Sequence, residues 1–92
     1  MLIRLNAIMR NFKEKETFPM LYVVDRISNR GDAVVLIVDI LHDDKEYVEA
    51  AVKQILDYLS SHNIKVLGYE LASYLVPFRE VWRLVAVVAV NQ

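Results

Sequence analysis

The chain reads as one α+β domain, a two-layer α/β sandwich in the order β-α-β-α-β-β. It predicts a mixed four-stranded sheet with two helices mainly on one face. Three observations lead there. Ala33 to Leu41 is a β-branched run that is apolar on both sides, as in a strand at the centre of a sheet. Tyr47 to Leu59 repeats apolar residues at helical spacing behind an acidic cap. Val81 to Val90 is a second strand, nearly unbroken in its apolar character. A chain of 92 residues has room for one hydrophobic core, so residues 1–92 form a single domain.

The first third carries competing signals. Ile3, Leu5, Ala7 and Met9 alternate with Arg4 and Asn6, as a half-buried strand requires, while Leu2, Leu5, Met9 and Phe12 also fall at helical spacing. The alternation favours a strand, and an amphipathic helix over residues 1–12 stays open. Asn11 to Glu16 is a charged connector. Thr17 then suits a helix N-cap, with Pro19 in a first turn that needs no N–H from it. Met20, Val23, Val24 and Ile27 would form that helix's buried face, and Gly31 its stop.

The later elements are better marked. Asp43 stands three residues before Glu46, the spacing of a capping box, and opens a helix whose stripe includes Val48, Ala51, Val52, Ile55, Leu56 and Leu59. Asn63 is a suitable stop. Ile64 to about Leu75 reads as a third strand. Val76-Pro77 interrupts it, because proline cannot donate to a ladder, and the fourth strand completes a hairpin. Strands one and two should be parallel, joined by a right-handed crossover that the second helix repeats. Several strand orders, 1-2-4-3 among them, stay open.

Composition narrows the function. The net charge of −1 gives no long-range field for nucleic acid or anionic lipid. There are no cysteines, so disulfides, thiolate metal sites and a cysteine nucleophile are excluded. The longest apolar run, Leu84 to Val90, is far short of the ~20 residues of a transmembrane helix, and no signal peptide is read. A cytoplasmic location is expected.

The hydrophobic fraction of 55% exceeds the roughly 45–50% of average domains, although a small domain has proportionally more surface to keep wet. Strand alternation says where the excess lies. Val34, Leu36, Val38 and Ile40 share one side, and Val35 and Ile37 the other; in the fourth strand Val85, Val87 and Ala89 oppose Leu84, Ala86 and Val88. Two helices on one side cover only one of these surfaces. Val35, Ile37, Val85, Val87 and Ala89 are therefore the expected self-association surface of a homodimer.

Candidate chemical groups are sparse. Asp39, Asp43 and Asp44 cluster with His42 where a strand gives way to a helix, and are weak candidates for a Mg²⁺ site. One aspartate is needed as a cap and the others suit the positive end of the helix dipole, so no metal or cofactor is expected. His42 and His62 sit at opposite ends of one helix, roughly 25–30 Å apart, and cannot share a metal within one chain. Gly31 and Gly68 are the only glycines, too few for a phosphate loop. Glu70 is the one carboxylate in a strand interior that would interest acid–base chemistry, and an exposed strand residue explains it far better. No catalytic residue is assigned. Arg79, Trp82 and Arg83 place cations beside an aromatic near the last hairpin and are candidates for partner binding.

Residues Leu21 to Gly68 resemble the conserved core of the SepF family, cell-division proteins that link FtsZ to the membrane. The likeness lies in the strand Val34-Val35-Leu36-Ile37-Val38, in a preceding helix closing near Gly31, and in the helix Ala51 to Ser61. Within that last helix, Asp57-Tyr58-Leu59-Ser60-Ser61 is similar to the family's Asp-Phe-Leu-Ser-Gly, with Ser61 in place of the glycine. The resemblance implies a non-enzymatic dimeric adaptor that binds a short peptide tail of a polymerising partner. The expected element order is also similar to that of the Alba family of dimeric nucleic-acid-binding proteins, with Arg79 and Arg83 on the hairpin arm. The near-neutral charge favours the adaptor.

Overall fold

The computed structural model describes residues 2–15, 18–26 and 33–90. They form α1 (Leu2–Lys15), β1 (Met20–Arg26), β2 (Ala33–Ile40), α2 (Lys45–Ser61), β3 (Ile64–Val76) and β4 (Arg79–Val90). The class is α+β, with two helices on a four-stranded sheet ordered β1-β2-β4-β3. Every neighbouring pair is antiparallel. The molecule is thus a helix and hairpin followed by a second helix and hairpin, with β2 and β4 meeting in the middle.

This corrects the expected order and the mixed sheet. Residues 2–15 are helical, not a strand: Leu5, Ile8, Met9 and Phe12 are all buried, and Ile8 and Phe12 fit only the helical period. The segment expected as the first helix contains β1, where Met20, Tyr22 and Val24 pair opposite Ile40, Val38 and Leu36. Tyr22, Val23 and Val24 are strand formers that a helical reading undervalues. Pro19 ends the connector, and its carbonyl accepts from the Leu41 N–H at 3.1 Å. Thr17 and Gly31, read as cap and stop of that helix, lie outside the described residues. With β1 antiparallel to β2, the expected parallel pair and its crossover disappear.

The second helix corresponds closely to its sequence signal. Its cap is Asp44, one residue beyond the expected Asp43; the Asp44 carboxylate accepts from the Glu46 N–H at 3.0 Å. At the other end Asn63 takes the left-handed conformation, φ 61°, which asparagine tolerates better than most residues.

Both helices cover the same side of the sheet. Leu5, Met9 and Phe12 of α1 and Val48, Ile55 and Leu59 of α2 form one core with Val34, Leu36, Val38, Ile40, Leu84, Ala86 and Val88. Aromatic rings bind the two helices: Phe12 lies 4.8 Å from Tyr58 and 5.9 Å from Phe18, and Phe18 lies 6.3 Å from Tyr47. The Tyr58 hydroxyl donates to the Ile8 carbonyl at 3.1 Å.

The sheet is longer than its roof. A helix of 17 residues rises about 25 Å, whereas a strand of 13 residues extends about 43 Å. The β3–β4 hairpin therefore projects beyond the helices, and Leu75 is 83% exposed.

A one-sided core makes a testable distinction between neighbouring strand positions. Leu36→Ala should cost about 2–5 kcal/mol in denaturant unfolding, as a fully buried leucine does. Val23→Ala, on the uncovered side, should cost less than about 1 kcal/mol. Equal losses at the two positions would contradict the arrangement.

Candidate functional site

The side of the sheet away from the helices is built by strand alternation alone. The cross-strand register sets Val35 opposite Val87, Ile37 opposite Val85, and Ala33 opposite Ala89. All five residues expected to form a self-association surface, Val35, Ile37, Val85, Val87 and Ala89, thus lie together on this face, each half-buried by its neighbours. The edge strand β1 widens the surface. Val23 pairs with Ile37 and Leu21 with Asp39, and they are 58% and 56% exposed. Sequence periodicity hides these two, because Met20, Val23 and Val24 imitate the face of a helix.

On the opposite edge, β3 contributes a depression. A bulge between Val66 and Gly68 lets Gly68 pair with Val87, and a side chain added at Gly68 would meet nothing within 4 Å. The shallow hollow there, about 460 Å³, is bordered by Gly68, Glu70, Val85 and Val87. Glu70 is exposed on this face opposite Val85.

Charge occupies one end of the face. Arg83 pairs with Asp39 across the strands and donates to both carboxylate oxygens, Nε to Oδ1 at 2.8 Å and Nη2 to Oδ2 at 3.0 Å. The Tyr74 hydroxyl donates to Oδ2 at 3.2 Å, and the guanidinium carbon lies 5.2 Å from the centre of the Tyr74 ring. Hydrogen bonding and charge from Arg83, with a smaller contribution from Tyr74, hold the Asp39 carboxyl below the usual carboxylate range, against an opposing desolvation. The same pair holds the Arg83 guanidinium more firmly protonated.

The weak metal candidates do not converge. Asp39 faces away from the helices and is committed to Arg83 and Tyr74, while Asp44 caps α2 and Asp43 is exposed. No group of three or more histidine, cysteine or acidic side chains gathers among the described residues. His42 and His62 flank α2 at opposite ends. His42 stacks on Tyr47 at 3.9 Å and accepts from the Asp44 N–H, and His62 leans on Tyr58 at 4.4 Å.

Nor do Arg79, Trp82 and Arg83 make one patch. Arg83 points to the open face. Trp82, opposite Ile40, is half-buried against the core on the helical side, with its Nε1 enclosed and without a hydrogen-bond partner. Arg79 donates to the Leu41 carbonyl at 3.3 Å, at the base of the hairpin tip. Adjacent strand positions face opposite ways, which separates Trp82 from Arg83.

No helix among the described residues is long and apolar enough to cross a membrane. Comparison with protein-family models, with curated proteins and with solved structures finds no match.

The Asp39–Arg83 pair gives a pH signature. Because the folded carboxyl has the lowered pKa, its contribution to stability is complete above the unfolded value of about 4 and is lost as pH falls through the folded value. Carboxylate NMR should find the Asp39 midpoint below the ordinary aspartate value. Asp39→Asn should flatten the acid limb of the stability profile; an unchanged limb would mean the pair contributes nothing.

Proposed function

We propose that this protein is a non-enzymatic interaction domain that self-associates as a homodimer through the open face of its sheet. The observation that carries the reading is the apolar array of Leu21, Val23, Val35, Ile37, Val85 and Val87, which the chain's own helices leave uncovered. Lys65, Glu70 and the Asp39–Arg83 pair lie around it, giving an apolar centre and a polar margin as in protein interfaces.

Size sets the expected strength. Four strands spaced about 4.8 Å apart, over some seven residues each, present roughly 450 Å² per protomer. Two such faces bury about 900 Å², below the 1,200–2,000 Å² of standard stable interfaces. The dimer is therefore a reversible one, responsive to concentration. Two sheets meeting this way would pack about 10 Å apart with their valines interdigitated.

The SepF-like reading extends the same proposal. A dimer would present two copies of a site for a short peptide tail, with no catalytic step. The strand Val34–Val38 and the helix Ala51–Ser61 remain in place to support it; β1 stands where the resemblance put a helix. The Alba-like reading gains no basic strip from the open face, whose cation at one end is neutralised by Asp39.

Sedimentation equilibrium over micromolar concentrations tests the association. Wild type should move from monomer to dimer, and Val23→Glu and Val85→Glu should each weaken dimerisation at least about tenfold, since each would bury an unpaired charge. Val23→Glu sits on an exposed edge position and should keep a native circular dichroism spectrum. A wild-type chain that stays monomeric throughout would refute the proposal.

A further inference from the structure

The tip of the β3–β4 hairpin and the groove between α2 and β3 are complementary surfaces that one chain cannot bring together. Pro77 and Phe78 form the turn between Val76 and Arg79. Phe78 has φ 73°, a conformation that this turn position ordinarily reserves for glycine or asparagine, and its ring is fully exposed. A strained backbone and an aromatic ring in water are both unfavourable, and glycine at this position would remove both. The combination marks a side chain held out for a partner.

The groove offers a matching receptor of about 410 Å³. Leu56, Tyr69 and Leu71 supply its apolar walls, and Glu49 and Asp57 place carboxylates at its margin beside Lys53. Among the described residues, Glu49 makes a long surface pair with Lys45, at 4.0 Å. The hairpin tip carries a cation directly after Phe78: Arg79 is exposed, with one of its N–H groups donating to the Leu41 carbonyl at 3.3 Å. Phe78 cannot reach its own groove. It lies seven residues beyond Leu71 on a continuously paired ladder, about 23 Å away along the strand.

We infer that the hairpin tip of one copy inserts Phe78 into the α2–β3 groove of a second copy, with Arg79 meeting Glu49 and Asp57. The contact joins two different surfaces. It uses none of the valines of the open face, so it stands or falls independently of the sheet-face dimer.

The test places the photoreactive residue p-benzoylphenylalanine at position 78 of the full chain. Irradiation should give intermolecular cross-links to peptides containing Leu56, Tyr69 or Leu71. Cross-links confined to other segments, or none at micromolar concentration, would overturn the inference. Phe78→Gly supplies a second readout. It should unfold no more easily than wild type, because glycine suits the backbone, yet weaken this association at least about tenfold. Asp57→Lys should weaken it as well, and adding Arg79→Glu should restore part of the loss. If Phe78→Gly instead left self-association intact and abolished cosedimentation with anionic phospholipid vesicles, the tip would be a membrane contact and the inference wrong.

Discussion

The pairing of β2 with β4 is what makes two helix–hairpin halves into one molecule. Eight residues of each strand, Ala33–Ile40 and Trp82–Ala89, form the centre of the sheet and supply most of the floor beneath both helices. Strand side chains alternate with a period of two, so a one-residue slip would exchange the faces of a whole strand. In most sheets polar residues on the outer face forbid that exchange. Here the outer face is nearly as apolar as the inner one, and hydrophobicity alone distinguishes the registers poorly. Asp39 and Arg83 provide the missing distinction. They stand directly opposite one another on the open side, and a slip of either strand would carry one charge under the helices without its partner.

The topology explains why one face stays open. β2 and β3 both run antiparallel to β4 and hence parallel to each other, and α2 connects them across β4 on the roofed side. α1 packs beside α2 on that side, fastened by Phe12, Phe18, Tyr47 and Tyr58 and by the Arg4 side chain, which donates to the His62 carbonyl at 2.9 Å. Described helices are thereby used up on a single layer. The apolar excess of the composition then has a location: positions that are commonly polar on the wet side of a one-sided sheet are valine and isoleucine here.

How legible this was depended on whether one periodicity ruled out the other. β2, α2 and β4 were readable because a β-branched run and a long amphipathic stripe each admit one interpretation. The N-terminal third was not, because Leu5 and Met9 satisfy both periods; only Ile8 and Phe12 separate them, and they follow the helix. In β1, Met20, Val23 and Val24 imitate a helical face, whereas cross-strand partners on β2 decide the matter, and those are invisible to local reading. The open face is legible all the same, because the alternation of β2 and β4 admits one interpretation. Its extension by Leu21 and Val23 is not, since it depends on the pairing of β1 with β2. Phe78 gave no signal beyond a following-proline turn, since a positive φ in a phenylalanine is set by the hairpin's closure and not by its own preference.

What the side chains leave uncommitted argues for recognition by surface. Acid–base catalysis relies on burial or like-charge neighbours to move a pKa toward neutrality. Among the described residues no charged side chain is buried, and Asp39 and Arg83 hold each other charged, which brings neither near neutrality. Asp44, His42 and His62 are engaged at the ends of α2. The unsatisfied quantities are of another kind: an apolar sheet face, an aromatic ring on a strained turn, and a groove with apolar walls. Each is relieved by excluding water from a shaped contact, and none by a chemical step. A second protein surface supplies that exclusion directly, and the proposal of assembly rests on this.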